Sequence, residues 1–240
     1  MKERIIIENV SKKFKIGFKK NQSALARLIS LFSGKEPQRT IAALKNISLK
    51  CYSGEIFGII GENGSGKSTL LRCIAGIYDY EGTIKSEGKI ISLINLNVGL
   101  QPRLTMKDNI FLCCSLFGLG NKEIKKRFNS IVEFSGLKNF VNTKIYQFSE
   151  GMKARLAFSI AIHCNPEILL LDEVFGVGDE TFKAISSRKI KELVSNGALV
   201  ILVSHDLEMI EKYCDRVIWM EKGKIKREGE TNEIIREYKK

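Results

Sequence analysis

Nine consecutive residues, GENGSGKST at 61–69, combine glycines, a lysine and two hydroxyls at a spacing suited to binding phosphate. Gly61, Gly66, Lys67 and Ser68 fit G-x-x-x-x-G-K-[ST], with Glu62, Asn63, Gly64, Ser65 and Thr69 filling and closing the loop. Glycines let the backbone curl so that successive N–H groups converge on phosphate oxygens. A helix starting near Lys67 points its positive dipole end at the same place. Lys67 then supplies a point charge to the β and γ phosphates, and the Ser68 hydroxyl is a ligand for Mg²⁺. The loop is expected to hold a nucleoside triphosphate.

Two further clusters could act on that ligand. The run EILLLDE, 167–173, is an apolar strand pattern ending in two carboxylates. A solvated strand end is the ordinary explanation, but about a hundred residues after a phosphate loop the pair has a chemical one. Asp172 would hold Mg²⁺ through its water shell, and Glu173 would orient or deprotonate the attacking water. His205 ends another apolar run, VILVSHD, with Asp206 beside it, where it could reach a γ-phosphate placed by Lys67. His163, the other histidine, lies in the helical pattern AFSIAIHC and is read as packing.

Chemistry at strand ends requires a sheet to align them. Apolar runs recur at 4–7, 55–60, 167–171 and 198–203, each followed by a turn signal and a helical pattern. That sequence of patterns predicts buried parallel strands with helices on both faces. Between 104 and 163 the segments KDNIFLCCSLFG and KEIKKRFNSIVEFSG read as helices, a helical insertion in the α/β core. The stretch 15–40 departs from the pattern. Leu25, Leu28, Ile29 and Phe32 at i, i+3, i+4, i+7, between basic ends, predict a short amphipathic helix inside a long loop.

Composition bounds the function. The chain has 240 residues, 44% of them apolar, enough for a sizeable core. A formal charge of +12 points to nucleic acid, anionic headgroups or a phosphorylated ligand, unless it is only a basic solvated surface. Six cysteines sit in apolar segments without paired metal spacing, as reduced core residues of a cytosolic protein would. The start MKERIIIENV lacks a signal-peptide core, and the longest apolar runs, such as ALVILV at 198–203, are strand-sized. Membrane association is therefore expected through a partner or at the surface.

The segment FSEGMKARLAFSIAI, 148–162, resembles the signature of ATP-binding-cassette (ABC) ATPases, usually LSGGQ. The order phosphate loop, signature, ILLLDE, GVGDE, VSHD runs from 61 to 206, and CDRVIWMEKGKIKREGE looks like the family's closing hairpin. The resemblance implies one α/β P-loop NTPase domain over 1–240, with a parallel-sheet core and an antiparallel β edge. Its core would span about 1–100 and 160–240, with a helical subdomain near 101–159. It implies ATP and Mg²⁺ as cofactors. Ser149 and Gly151 would contact the γ-phosphate bound by the opposite protomer of a head-to-tail homodimer, the helix after Ser149 presenting free N–H groups. Gly178 and Asp179 match the loop that passes between the two sites. Phe14 falls where the family stacks an aromatic ring on adenine, a core or surface phenylalanine being the other reading.

Two departures are informative. The signature reads SEGM for SGGQ, and no glutamine stands at the usual distance before Pro102; Asn95 is the nearest polar substitute and Gln101 a poorer one. The signature form, GVGDETF, the altered glutamine loop and the insertion before residue 41 are similar to the ATPases that export lipid-linked polysaccharides: O-antigen, capsule and teichoic acid. With no carbohydrate-binding domain before the chain stops at Lys240, the short form is expected. That subclass implies an integral membrane permease dimer as partner, indirect contact with lipid-linked polysaccharide, and no nucleic-acid ligand. It also implies a peripheral place on the cytoplasmic face of the inner membrane. The alternatives are the ATPase of a drug or nutrient ABC transporter, a soluble ABC ATPase of DNA repair or translation, and a regulatory module without turnover. The second would usually carry two cassettes or a long coiled coil; the third sits badly with an intact Asp172–Glu173–His205 set.

Overall fold

Residues 2–16, 39–94, 99–172 and 179–240 are described by a computed structural model. The apolar stripe Leu25–Phe32 lies outside the described residues, as do Asn95, Glu173 and Gly178. Three of the four apolar runs form the parallel strands β3 (Ile56–Ile60), β6 (Ile168–Asp172) and β7 (Leu199–Val203). With β5 (Ile90–Leu93), β8 (Arg216–Glu221) and β9 (Lys224–Glu230) they make a six-stranded sheet of order β5-β6-β7-β3-β8-β9. Only β9 runs antiparallel, returning from β8 through a tight turn at Lys222–Gly223.

Strand periodicity splits this sheet into two apolar faces. Ile56, Leu169, Leu171, Val200, Leu202 and Val217 face one core; Phe57, Ile59, Ile168, Leu170, Ile201 and Ile218 face the other. The second core is closed by α1 (Lys67–Ile74) and by a three-stranded antiparallel sheet, β2-β1-β4, of β1 (Glu3–Ile16), β2 (Arg39–Tyr52) and β4 (Glu81–Ser86). This corrects one expectation. The run at 4–7 is not a parallel strand of the main sheet but part of β1, paired antiparallel with both β2 and β4. Ile5 and Ile7 are buried while Ile6 is not, the alternation of a one-faced antiparallel strand; adjacency of three isoleucines had masked it.

The first core is closed by helices. α2 (Met106–Leu116), α3 (Asn121–Ser135) and α4 (Glu150–His163) intervene between β5 and β6, and α5 (Glu180–Ser195) precedes β7. Thr105 opens α2 with a capping box to Asp108. α6 (Leu207–Tyr213) follows β7, and α7 (Thr231–Tyr238) packs on β8 and β9. All six cysteines are buried free thiols. His163 is a packing residue as expected: its ring stands edge-on to Phe134 at 5.3 Å, and its Nδ1–H donates to the Ser159 carbonyl at 2.7 Å. Burial holds this imidazole below its ordinary pKa.

One buried ion pair ties the two sheets together. The Glu55 carboxylate, 7% exposed, accepts the Tyr52 N–H at 2.6 Å and the Arg216 guanidinium at 3.0 Å. Arg216 also donates to the Lys50 carbonyl at 2.6 Å, pairs with Glu228, and covers the rings of Phe57 and Tyr52. Removing Glu55 leaves Arg216 with Glu228 as its remaining carboxylate and takes the side-chain acceptor from the Tyr52 N–H. Glu55→Ala is therefore expected to lower unfolding free energy by about 2 kcal/mol in urea denaturation. A loss below about 0.5 kcal/mol, the range of an ordinary surface change, would contradict this role.

Candidate nucleotide-binding and active site

The phosphate loop is placed by β3, the strand between β7 and β8, whose chain turns at Gly61 into α1. Gly66 takes the N-cap position of α1 at φ 106°, and a Cβ there would stand 2.6 Å from the Ala43 carbonyl oxygen. Only glycine satisfies both the left-handed backbone and that close approach. Lys67 is buried, with its ammonium donating to the Gly61 carbonyl at 2.6 Å and the Glu62 carbonyl at 2.9 Å. The loop's own carbonyls thus hold the cation at the mouth of the site.

Parallel register delivers the other groups. Asp172 pairs with Val203 across β6 and β7, and Val203 pairs with Ile59 across β7 and β3. The carboxyl ends of three adjacent strands therefore meet at one edge, where ligands of open α/β sheets bind. Asp172 Oδ1 accepts from the Ser68 hydroxyl at 3.2 Å, across 104 residues of sequence. His205, two residues beyond Val203, is exposed at this edge. Asp206 does something else: its carboxylate caps α6 through the Met209 N–H at 3.1 Å.

Asn63, Gly64, Gly66, Lys67, Ser68 and Thr69 open onto a cavity of about 330 Å³, which Phe14, Ile41, Ala42 and Ala43 complete. Phe14 is half-buried at its rim, edge-on to Tyr78 at 5.4 Å, with the Lys12 ammonium 5.2 Å from its centroid. A planar base has an apolar face to lie against here. Ser68 and Asp172 offer hard oxygen donors side by side, the chemistry Mg²⁺ takes when it keeps waters and accepts substrate phosphates. Among the described residues no group of three or more His, Cys, Asp or Glu side chains could hold a metal alone.

Ser149, Gly151 and Asp179 form a second group. Ser149 caps α4, accepting the Met152 N–H at 3.2 Å, and Gly151 lies in the helix's first turn. Asp179 caps α5 through the Phe182 N–H at 2.8 Å. Arg155, one turn and a half along α4, bonds the other Asp179 oxygen at 3.3 Å. Gln101 is exposed; its N–H donates to Asn109 Oδ1 at 2.6 Å.

Three contributors escaped the sequence reading. Arg155 was read only as part of a signature. Asn109, fully buried, binds Gln101 and Thr105 and so shapes the loop before α2; nothing in its local pattern marks it. Ile41 lines the cavity while 47% exposed, a position set by its cross-strand pairing with Phe14.

A fold with a phosphate loop beside a carboxylate-bearing strand end defines a nucleotide-binding α/β domain. Residues 44–176 match the family described as ABC transporter, and the chain belongs to that family. It is 43% identical over 216 residues to the teichoic acids export ATP-binding protein TagH of Enterococcus faecalis, covering 90% of this chain and 48% of that protein. It is 38% identical over 241 residues to the protein of the same name from Staphylococcus saprophyticus, covering 100% and 89%. The O-antigen export system ATP-binding protein RfbB of Klebsiella pneumoniae is 39% identical over 202 residues, covering 84% and 82%. The chain thus spans about half the length of some curated relatives it matches. Among solved structures, a dimeric ATP-binding cassette in a post-hydrolysis state, bound to ADP and Pi, superposes with a TM-score of 0.77 at 26% identity. That match covers 95% of this chain and 98% of the other.

Lys67→Ala should weaken nucleotide binding about thirtyfold in a direct titration, the equivalent of one charge-assisted bond of about 2 kcal/mol. Unchanged affinity would contradict the assignment of this loop as the phosphate site.

Proposed function

We propose that this chain is the ATP-hydrolysing subunit of an exporter of lipid-linked polysaccharide. The observation that carries the reading is the cavity lined by Lys67 and Ser68, with Asp172 bonded to the Ser68 hydroxyl and paired across the sheet with Val203, two residues before His205. Relatives named for teichoic acid and O-antigen export support the cargo class.

In this reading Phe14 and Ile41 take the base, and the loop from Gly61 to Thr69 takes the phosphates. Lys67 exchanges the carbonyls of Gly61 and Glu62 for β and γ oxygens, a gain for a buried ammonium. Ser68 and Asp172 hold Mg²⁺, which when bound would neutralise developing phosphate charge. Glu173, directly after Asp172, accepts the proton of the water that attacks the γ-phosphorus, and the bond to the ADP oxygen breaks. His205 donates to the γ-phosphate. Ser149 and Gly151 begin a helix whose N-terminus favours an anion, and the γ-phosphate of a second copy of the chain is that anion. ATP thereby favours a closed head-to-tail homodimer, and hydrolysis removes the bridge.

The dimer would work beneath a membrane permease. No helix among the described residues is long and apolar enough to cross a membrane. An apolar cavity of about 210 Å³ between β5, α2 and α4, lined by Leu93, Leu100, Phe117 and Ile160, leaves Leu116 70% exposed at its edge. A cytoplasmic segment of the permease is the occupant proposed for it, at the peripheral, cytoplasmic face of the membrane.

Three measurements test these assignments. Glu173→Gln should lower turnover at least about a hundredfold while retaining ATP affinity, because shape survives but proton acceptance is lost; near wild-type turnover contradicts the base. Equal mixing of Ser149→Arg with Lys67→Ala should restore about a quarter of wild-type ATPase, since half the dimers are mixed and half their sites intact. No recovery, with mixed dimers demonstrated, contradicts the shared site. Leu116→Asp should leave the ATPase of the isolated chain unchanged yet stop export in cells; normal surface polymer contradicts the docking face.

A further inference from the structure

The ring proposed to carry the base does not stand alone. Lys12 and Phe14 belong to β1, and Tyr78 follows α1, in a turn whose Ile77 N–H donates to the Arg72 carbonyl at 2.9 Å. Phe14 stands edge-on to Tyr78, and the Lys12 ammonium lies over both rings, 5.2 Å from the centroid of the first and 5.6 Å from that of the second. The Arg72 guanidinium, from the last turn of α1, is 5.8 Å from the Tyr78 centroid. Two cations and two rings thus alternate from the phosphate-loop helix to the rim of the cavity.

The placement of Lys12 is specific. The β1–β2 ladder shifts register just before and just after it, and such irregularities re-aim a side chain. Its neighbour Lys13 pairs with Glu81 at 3.7 Å, whereas Lys12 forms no ion pair among the described residues. The half-buried ammonium therefore has the two rings as its partners, and a ring quadrupole attracts a cation more strongly where water is partly excluded. Phe14 lines the cavity beside the phosphate loop; neither Lys12 nor Tyr78 does. The cation and the second ring thus back the platform and do not touch what lies on it. A positive charge behind a ring draws on its π density, so a base laid on the other face meets weaker repulsion between the two π clouds.

We propose that Lys12 is a positioning residue for nucleotide binding: held between Phe14 and Tyr78, it fixes the Phe14 ring and polarises it toward a purine base stacked from the cavity side. This rests on the reading above in which Phe14 takes the base. Lys12 touches neither base nor phosphate in this scheme; it acts through the ring. Its loss should therefore weaken the bound ground state and the transition state alike, which raises KM and leaves kcat.

Lys12→Met, Phe14→Leu and the double variant of the full chain test this, with Kd for the magnesium complex of a non-hydrolysable ATP analogue, kcat and KM for MgATP, and thermal stability measured for each. Methionine keeps the apolar stem of Lys12 and removes its charge. Phe14→Leu should weaken the analogue about tenfold, the scale of one lost base–aromatic stack. Lys12→Met should weaken it about fivefold and raise KM by a similar factor, with kcat within about twofold of wild type. In the Phe14→Leu background the same change should cost less than about twofold, because the ring through which it acts is gone. Lys12→Arg should bind within about twofold of wild type, since a guanidinium also lies over ring faces. An equal loss in both backgrounds would overturn the proposal, for the ammonium would then be meeting the phosphates directly. So would unchanged affinity in Lys12→Met, or a loss that tracks a fall in folded protein. If instead Phe14→Leu binds as tightly as wild type, the base reading itself has failed, and the proposal with it.

Discussion

A triphosphate brings several negative charges to a surface, and almost everything in this chain follows from where they can be neutralised. Backbone N–H groups do so only if the loop curls tightly, and the loop can curl only where Gly66 passes beneath the Ala43 carbonyl. Ala43 belongs to β2, so the antiparallel sheet helps shape the loop proposed to take the phosphates and is not merely a lid on the second core. Lys67 shows the same economy of placement. Its ammonium rests on two carbonyls of its own loop, desolvated yet satisfied, in a state that phosphate oxygens improve on.

The sheet brings the groups of the proposed reaction site to this loop. Its central strands are apolar on both faces, which requires helices on one side and the small sheet on the other. That burial fixes register, and register sets Asp172, Val203 and Ile59 side by side. A slip of one residue would turn Leu169, Leu171, Val200 and Leu202 to the wrong core. The site's precision is thus inherited from hydrophobic packing far more than from its own hydrogen bonds. The signature helix stands apart from this logic: it is held by Arg155 to the neighbouring helices, and its capped end is presented outward.

Much of this was legible beforehand, for physical reasons that differ by element. The phosphate loop announces itself because its backbone geometry admits few residue types. β6 and β7 were legible because two-faced burial leaves continuous apolar runs ending in polar residues. β1 was misread because Ile5, Ile6 and Ile7 look like such a run while only alternate members are buried. Arg155 was illegible for another reason: it acts through partners distant in sequence, at Ser135, Asp179 and Phe182. Asn109 bonds nearby residues, Gln101 and Thr105, but in a loop geometry that no periodicity announces. The subclass, similar to polysaccharide exporters, came from a resemblance of motifs and agrees with the names of relatives across the chain.

The central claim is that one chain's phosphate loop and another chain's signature helix enclose the same nucleotide. A chain carrying both Asn63→Cys and Ser149→Cys tests it directly, with a short thiol crosslinker acting against a background of native cysteines that are all buried. With Mg²⁺ and a non-hydrolysable ATP analogue, the account predicts covalent dimers, formed only when both cysteines are present. Nucleotide binding without any crosslink between chains, or crosslinks confined within one chain, would contradict it.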